Sequence, residues 1–407
     1  MRLLFVADGR SPISRNWIRH FIGGESEVHL ISTFKCQPLS GLETLHMVPV
    51  AFSGVGRGRG NRERNTGQKN SRNSALTSSA TIGMRTFIRH WLGPATVNRS
   101  ARQVGNLISE IEPNLVHAMR IPFEGALAAG SNPAAPLLVS IWGNDLTFHA
   151  PASPMMSSLT KRTLEQADAL HTDNRRDVGL AQEWGFDDDR PHMVMPTNGG
   201  VRRDIFCPGE PGQSEHPALS QLLESLAQDV PVVVNPRGFR AYVRNDTFFK
   251  SIPVLLKRVP SAVFLCPGMA GQRQATEWIE RLNIGDSVHL LPKLAPSDLA
   301  VVFRRAQVSV SPSEHDGTPN TLLEAMACGA YPVAGDLVSI REWVKDGKNG
   351  TLVDPARTDQ LADAIAYALE NAELREQAAA DNIKLVEKRA DYELGMQKAQ
   401  AFYEAVI

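Results

Sequence analysis

The chain has 407 residues, 42% of them hydrophobic, four cysteines and a formal net charge of −1. That length exceeds one ordinary hydrophobic core, so two domains of roughly 200 residues each are expected, and the near-neutral charge excludes a generally basic nucleic-acid binder. Cys36, Cys207, Cys266 and Cys328 stand singly, which excludes a C-x-x-C zinc or disulfide framework and points to a reducing compartment, the cytoplasm.

The opening Met1-Arg2-Leu3-Leu4-Phe5-Val6-Ala7-Asp8-Gly9 carries an apolar run too short for a signal-peptide core, and no later stretch approaches about 18 apolar residues. The expectation is a soluble protein, at most peripheral to a membrane. Leu3–Ala7 reads as a buried parallel strand, the helical spacing of Ile13, Trp17, Ile18 and Phe21 as a helix, and Glu27–Ser32 as a second strand. This is the βαβ opening of a doubly wound sheet. Further strand-like runs are Leu115–Ala118, Leu137–Trp142, Ala169–Thr172 and His192–Met195.

One segment breaks the rhythm. Between Gly54 and Asn73 it carries Arg57, Arg59, Arg62, Arg64, Lys69 and Arg72 against the single acid Glu63, so the stretch over 53–80 reads as a flexible basic insertion. Ile82, Phe87, Ile88, Trp91 and Leu92 then share one helical face, bordered by Arg85, Arg89 and His90, as in an ordinary core helix or one that lies on a surface.

The second half restarts the pattern with Val230–Asn235, Ala262–Cys266, Ser287–Leu291, Val308–Ser311, Tyr331–Ala334 and Gly350–Val353. The turn Asn198-Gly199-Gly200, running to Cys207-Pro208-Gly209, marks the boundary. The organisation expected is a first domain over 1–205, a second over 206–385, and a C-terminal helix over 386–407 returning to the first.

The chemistry concentrates in Ser311-Pro312-Ser313-Glu314-His315-Asp316-Gly317-Thr318-Pro319-Asn320-Thr321-Leu322-Leu323-Glu324-Ala325-Met326-Ala327-Cys328-Gly329. A strand leads into a helix for which Thr318 is a suitable N-cap and Pro319 a suitable first residue. Free N–H groups at such a helix start suit a diphosphate, and Asp316 and Glu324 can bracket a ligand rich in hydroxyls. Asp187-Asp188-Asp189 reads as a polar connector after a helix end, so no metal site is expected.

This stretch resembles the retaining glycosyltransferases of family 4, whose signature runs from a strand through P-S, an acid, seven residues and Glu to A-M-A-x-G-x-P-V. The likeness extends over nearly the whole chain. It takes in Pro196-Thr197-Asn198-Gly199-Gly200-Val201 with Phe206 and Pro208, Val116-His117-Ala118, Trp142-Gly143-Asn144-Asp145, Asn349-Gly350, and Leu352-Val353-Asp354-Pro355.

The resemblance implies an α/β GT-B fold, two doubly wound Rossmann-like domains facing a central cleft, with the acceptor on the first and the nucleotide sugar on the second. By position, Glu324 would hold the ribose and Asp316 the transferred sugar, although relatives usually carry Glu there and Glu314 is an alternative. Gly317, Thr318, Pro319 and Asn320 would line the sugar and diphosphate, and Lys293 and Leu294 the base. Gly9 would sit in the first strand-to-helix loop. Of Arg237, Arg240 and Arg244, Arg244 takes the place of the family's Lys, and Arg237 or Arg240 that of its Arg. His117 is a candidate cleft histidine, although the family's usual histidine falls where this chain has Met119.

The implied reaction is metal-independent transfer with retention from a UDP- or GDP-sugar to a saccharide or lipid-linked acceptor, in cell-surface polysaccharide or glycolipid synthesis. No further cofactor is expected. The basic insertion adds contact with an anionic membrane. The alternatives are a same-fold sugar-phosphate synthase, a nucleotide-sugar epimerase, or a catalytically silent binding relative.

Overall fold

The computed structural model describes residues 1–53, 87–210, 212 and 214–407. The basic insertion from Gly54 and the helix start from Ile82 to Arg85 lie outside the described residues. Two units are present, one formed by Met1–Thr172, Asp177–Val194 and Gln400–Ile407, the other by Asp173–Arg176 and Met195–Ala399.

Among the described residues the first unit is built on seven parallel strands: β1 (Arg2–Ala7), β2 (Glu27–Ser32), β3 (Thr44–Met47), β4 (Leu115–Ala118), β5 (Leu137–Ile141), β6 (Ala169–Thr172) and β7 (His192–Val194). Their spatial order is β3-β2-β1-β4-β5-β6-β7. Continuous apolar strands such as Leu3–Ala7 follow from helices covering both faces of a parallel sheet. Leu4, Val6, Val116 and Val139 face one layer with Val104 and Leu127. On the other, Phe5 meets Phe21 and Tyr403, whose two rings stack at 4.6 Å. The helix Pro12–Ile22 starts on the Ser11 hydroxyl and buries Trp17, Ile18 and Phe21, as their spacing requires. β3 escapes the sequence pattern because it is a short, half-buried edge strand with no clear alternation.

The stretch beginning at Phe87 is helical, but its orientation reverses the core-helix reading. Phe87, Ile88, Trp91 and Leu92 are exposed by 57%, 37%, 46% and 56%, whereas His90 is buried. The physical reason lies on the other side, where the Arg89 guanidinium sits 4.6 Å from the Phe123 ring centroid and 5.3 Å from that of Phe34. The basic border, and not the apolar stripe, packs against the unit.

The second unit has six parallel strands, β8 (Val232–Val234), β9 (Val263–Cys266), β10 (Val288–Leu290), β11 (Val308–Ser311), β12 (Tyr331–Gly335) and β13 (Thr351–Val353), in the order β10-β9-β8-β11-β12-β13. Apolar layers cover both faces, one including Val232, Leu265, Leu323 and Met326, the other Val233, Phe248, Phe264 and Ile365. Residues 195–205, assigned to the first domain by the junction motif, belong to this unit. Val201 N–H donates to the Ala390 carbonyl at 2.6 Å. Gly200 has φ +125, and a Cβ there would lie 2.5 Å from that same carbonyl oxygen, so the close approach requires glycine.

In each sheet the chain reverses its winding beside the first strand, between β1 and β4 and between β8 and β11. Loops leaving the carboxyl ends of two strands diverge at such a point and open a crevice.

Candidate functional site

At the β8/β11 switch point the two loops are sewn together. Arg244 N–H donates to the Pro312 carbonyl at 2.9 Å and Glu314 N–H to that of Tyr242 at 2.9 Å, with an isolated bridge between Val243 and Ser313. Behind them lies β12, where a Cβ on Gly335 would stand 2.3 Å from the Ser313 carbonyl oxygen. Only glycine lets the loop descend that close.

The helix that follows β11 is Asn320–Ala327, with Pro319 at its cap position. It starts one residue later than the Thr318 cap would give, because the Thr318 hydroxyl is used elsewhere. It donates to the Asp173 carbonyl at 2.6 Å and accepts from Trp343 Nε1 at 3.0 Å. The Asp316 carbonyl is fixed by Ser339 Oγ at 2.7 Å and Arg176 Nη1 at 3.0 Å. Among the described residues, no backbone acceptor meets the N–H groups of Gly317, Thr318, Asn320 or Thr321. A row of unmet donors at a helix start forms an anion cradle. Pro319 contributes shape but no donor.

The cation of the site is Arg237. Its Nη2 meets Asp316 Oδ2 at 2.5 Å and its Nη1 meets Thr321 Oγ1 at 3.3 Å, with only 9% of the side chain exposed. Arg237 Nε, Ser313 Oγ and Asn320 Oδ1 are buried with no hydrogen-bond partner. Three orphaned polar atoms around one cradle are a costly feature that a polar ligand would relieve.

Glu324 lies on the second turn of the helix, half-buried rather than on an open surface. Burial pushes its carboxyl up to about 7, against the opposing pull of Arg237. The structure thus brings Arg237, Asp316, Gly317, Thr318, Pro319, Asn320 and Glu324 together. Arg244 is at the rim, doubly bonded to Asp246 at 2.8 and 3.0 Å and to Glu314 at 2.8 Å, and these bonds raise its pKa. Arg240 is exposed and donates to the Arg237 carbonyl at 3.2 Å. Lys293, exposed, and Leu294, half-buried, follow β10 at the sheet edge.

His117 is a correction. It is 1% exposed, with Nδ1 2.5 Å from the Tyr403 hydroxyl and Nε2 2.7 Å from Ser140 Oγ. Trp17 Nε1 donates to the same Tyr403 hydroxyl at 2.8 Å, and burial holds the imidazole well below its usual pKa. Its residue type suggested chemistry, but its strand position puts it inside the sheet layer as a neutral core histidine. Gly9 is buried in the first unit, its N–H on Ser32 Oγ at 3.0 Å. Asp187, Asp188 and Asp189 form an exposed turn, and among the described residues no three His, Cys, Asp or Glu side chains are placed to hold a metal ion.

Sequence reasoning marked the first strand-to-helix loop and the Trp142–Asp145 turn at the β1/β4 switch point but missed Arg120. There Arg120 meets the buried Asp145 at 2.8 Å and Asn144 at 3.0 Å, so the Trp142–Asp145 turn positions an arginine. An arginine directly after a strand at the switch point was the available signal.

Two family profiles match the chain, the glycosyl transferases group 1 over residues 226–384 and the glycosyl transferase 4-like group over 71–174. Residues 226–384 carry the group 1 glycosyltransferase profile, so the chain is similar to glycosyltransferases of that group. Its second half carries the profile that contains the Arg237, Asp316 and Glu324 cluster. Similar curated proteins are the D-inositol 3-phosphate glycosyltransferases of Actinosynnema mirum, 28% identical over 58% of this chain and 57% of that one, and of Corynebacterium glutamicum, 23% identical over 58% and 56%. The match spans little more than half the length of these relatives. Among solved structures, the sucrose-phosphate synthase of Thermosynechococcus elongatus is similar over 100% of this chain and 98% of that one, with TM-score 0.73 and 15% identity. Anabaena HepE in complex with UDP-glucose is similar over 100% of both, with TM-score 0.70 and 15% identity. At such identities the likeness establishes the fold, which is α/β and of the GT-B class.

Proposed function

We propose that the chain is a retaining, metal-independent glycosyltransferase whose second unit binds a nucleotide-sugar donor. The observation that carries this reading is the Arg237–Asp316 pair lying against an unmet row of N–H groups, with Glu324 on the next helical turn. A donor diphosphate would take those N–H groups and draw Arg237 from Asp316. The freed Asp316 carboxylate would accept from hydroxyls of the sugar, and Glu324 from those of the ribose. A UDP-sugar is favoured over a GDP-sugar by the UDP and UDP-glucose complexes of HepE.

In the step itself, the bond from the anomeric carbon to the diphosphate oxygen breaks and a bond to the acceptor oxygen forms on the same face. The acceptor's proton passes to a phosphate oxygen, and the nucleoside diphosphate leaves. Charge grows on that leaving group, where Arg237 and the helix amides are already oriented, so electrostatic stabilisation supplies most of the acceleration. Lys293 and Leu294 would flank the base, and no cofactor beyond the donor takes part.

On the acceptor side we favour a saccharide or lipid-linked acceptor met at an anionic membrane, in polysaccharide or glycolipid synthesis on the cytoplasmic face. Exposed Phe87, Ile88, Trp91 and Leu92, which follow in sequence the basic run from Arg57 to Arg72, support this. No helix among the described residues is long and apolar enough to cross a membrane. The deciding experiment is thermal stabilisation and donor turnover with UDP- and GDP-sugars in EDTA. Stabilisation by one nucleotide with turnover unchanged by EDTA is expected. No stabilisation by either, or strict dependence on added Mg²⁺ or Mn²⁺, overturns the reading.

A further inference from the structure

The loops after β1 and β4 enclose a second cavity, wholly within the first unit, of about 380 Å³. Arg10, Arg89 and Arg120 line it together with Phe34, Phe123 and Trp142. Two of the guanidinium groups are anchored by acids of their own. Arg10 is held by Asp8 through two bonds at 3.0 and 2.9 Å and lies 3.5 Å over the Phe34 ring, and Arg120 is held by Asp145 and Asn144.

Arg89 is different. Its guanidinium is sandwiched against Phe34 and Phe123, and among the described residues no carboxylate reaches ion-pair distance of it. Two acids act on it through space: Glu124, itself buried, bonded to Thr33 Oγ1 at 2.6 Å and pushed up by burial toward its neutral form, and Asp8, which is taken up by Arg10. Arg10 and Arg120 add like charge beside it. An arginine remains charged under these conditions, so a desolvated guanidinium without a counter-ion is unfavourable until an anion arrives.

Two further observations converge. Trp142 Nε1–H, at the same cavity, is buried with no acceptor. Phe123, on its wall, is held at φ +71 and ψ −52, a strained backbone for a bulky side chain and a feature that clusters at ligand sites.

We propose that this cavity binds an oxyanion, phosphate or carboxylate, carried by the acceptor, with Arg89 as its anchor and Trp142 Nε1–H as a further donor. The proposal rests on the glycosyltransferase reading above for the word acceptor. Guanidinium forks match both oxyanions, and the flanking rings offer apolar faces to the body of the molecule.

The test is calorimetric titration of the full chain with glucose, glucose 6-phosphate, glucuronate and dihexanoyl phosphatidate below its micelle concentration. UDP is titrated in parallel. The expected result is saturable binding of at least one charged probe, tenfold or more tighter than glucose. That preference should fall at least tenfold in Arg89→Gln and be partly restored in Arg89→Lys, while both variants keep the wild-type response to UDP. The three charged arms separate a soluble phosphate, a sugar acid and a lipid headgroup. Charged probes binding no better than glucose, or Arg89→Gln binding them like wild type, overturns the proposal. A missing UDP response in the wild type counts against the donor reading and leaves the cavity result intact.

Discussion

Replacing Glu324 by Gln should make the ligand-free protein more stable and the enzyme inactive. The carboxyl is raised from 4.5 to about 7, with burial the larger cause and Arg237 opposing it. A rise of about 2.5 units corresponds to about 3 kcal/mol of destabilisation where the group is ionised in both states, less what solvent at the open side of the site screens. Because the folded state holds the proton more tightly, the penalty is absent below pH 4.5, grows as pH rises, and is complete above about 7. Gln keeps the shape and removes the charge. For a unit of roughly 200 residues, about 3 kcal/mol is a rise of roughly 6–12 °C in Tm. The assay is thermal and urea unfolding of both proteins without nucleotide at pH 4.5, 6 and 8, with donor turnover measured alongside. The stability gap should open between the first and last of these, and turnover should fall at least ~100-fold. Equal stability at pH 8, or a variant less stable throughout, would show that the carboxylate serves the fold and would remove it from the donor site.

Arg237→Ala should cut kcat by about 10²–10³ through loss of leaving-group stabilisation. Arg237→Lys should recover part of it, since Lys supplies charge without the two-pronged geometry; steady-state kinetics with saturating donor checks both, and an undiminished kcat for Arg237→Ala refutes the assignment. His117→Ala should cost about 3 kcal/mol by opening a void and taking one hydrogen-bond partner from each of the Tyr403 and Ser140 hydroxyls, which keep Trp17 and His171. As a buried neutral imidazole with a depressed pKa, His117 should also lower wild-type stability as pH falls below about 6.5, read by the same unfolding curves. Binding to phosphatidylserine liposomes should fall at least tenfold in a Trp91→Ser, Leu92→Ser double variant and weaken with salt, by co-sedimentation; recovery equal to wild type, or salt-insensitive, would leave a soluble acceptor as the better reading.

How far the sequence was legible depended on which physical signal each feature left. Short buried strands rich in apolar residues and bounded by turns leave a clear trace, so Glu27–Ser32, Leu115–Ala118, Ala169–Thr172 and Val308–Ser311 stand where that pattern puts them, although each also carries His or Ser. The edge strand Thr44–Met47 leaves no such run. Local signals also mislead when a tertiary partner competes for the same group. Thr318 has the composition of a cap, but its hydroxyl serves Asp173 and Trp343, and the helix begins after it. His117 has the composition of an active-site residue, but its strand is covered on both faces and every residue of it is buried. Phe87, Ile88, Trp91 and Leu92 have the spacing of a core face, and the aromatic rings beneath Arg89 turned that face outward.

That Asp316, the helix start after it and Glu324 come together was legible because these residues are close in sequence and obey helix-start chemistry. The arginine cavity was not, since Arg10, Arg89 and Arg120 come from three distant segments that only the strand order β2-β1-β4-β5 brings together. Yet the two places share one geometry. Each lies where winding reverses, and at each a partly or largely buried arginine stands near buried polar atoms that lack partners. They differ in what balances the charge. Arg237 has Asp316 in hand and must exchange it for a ligand, so binding there is a substitution whose net gain is small until the leaving group develops charge. Arg89 has no such carboxylate, so an incoming oxyanion would gain the whole pairing at once. On this argument the first cavity should contribute ground-state affinity and the second unit should contribute rate, a division that KM and kcat of the Arg89 and Arg237 variants would separate.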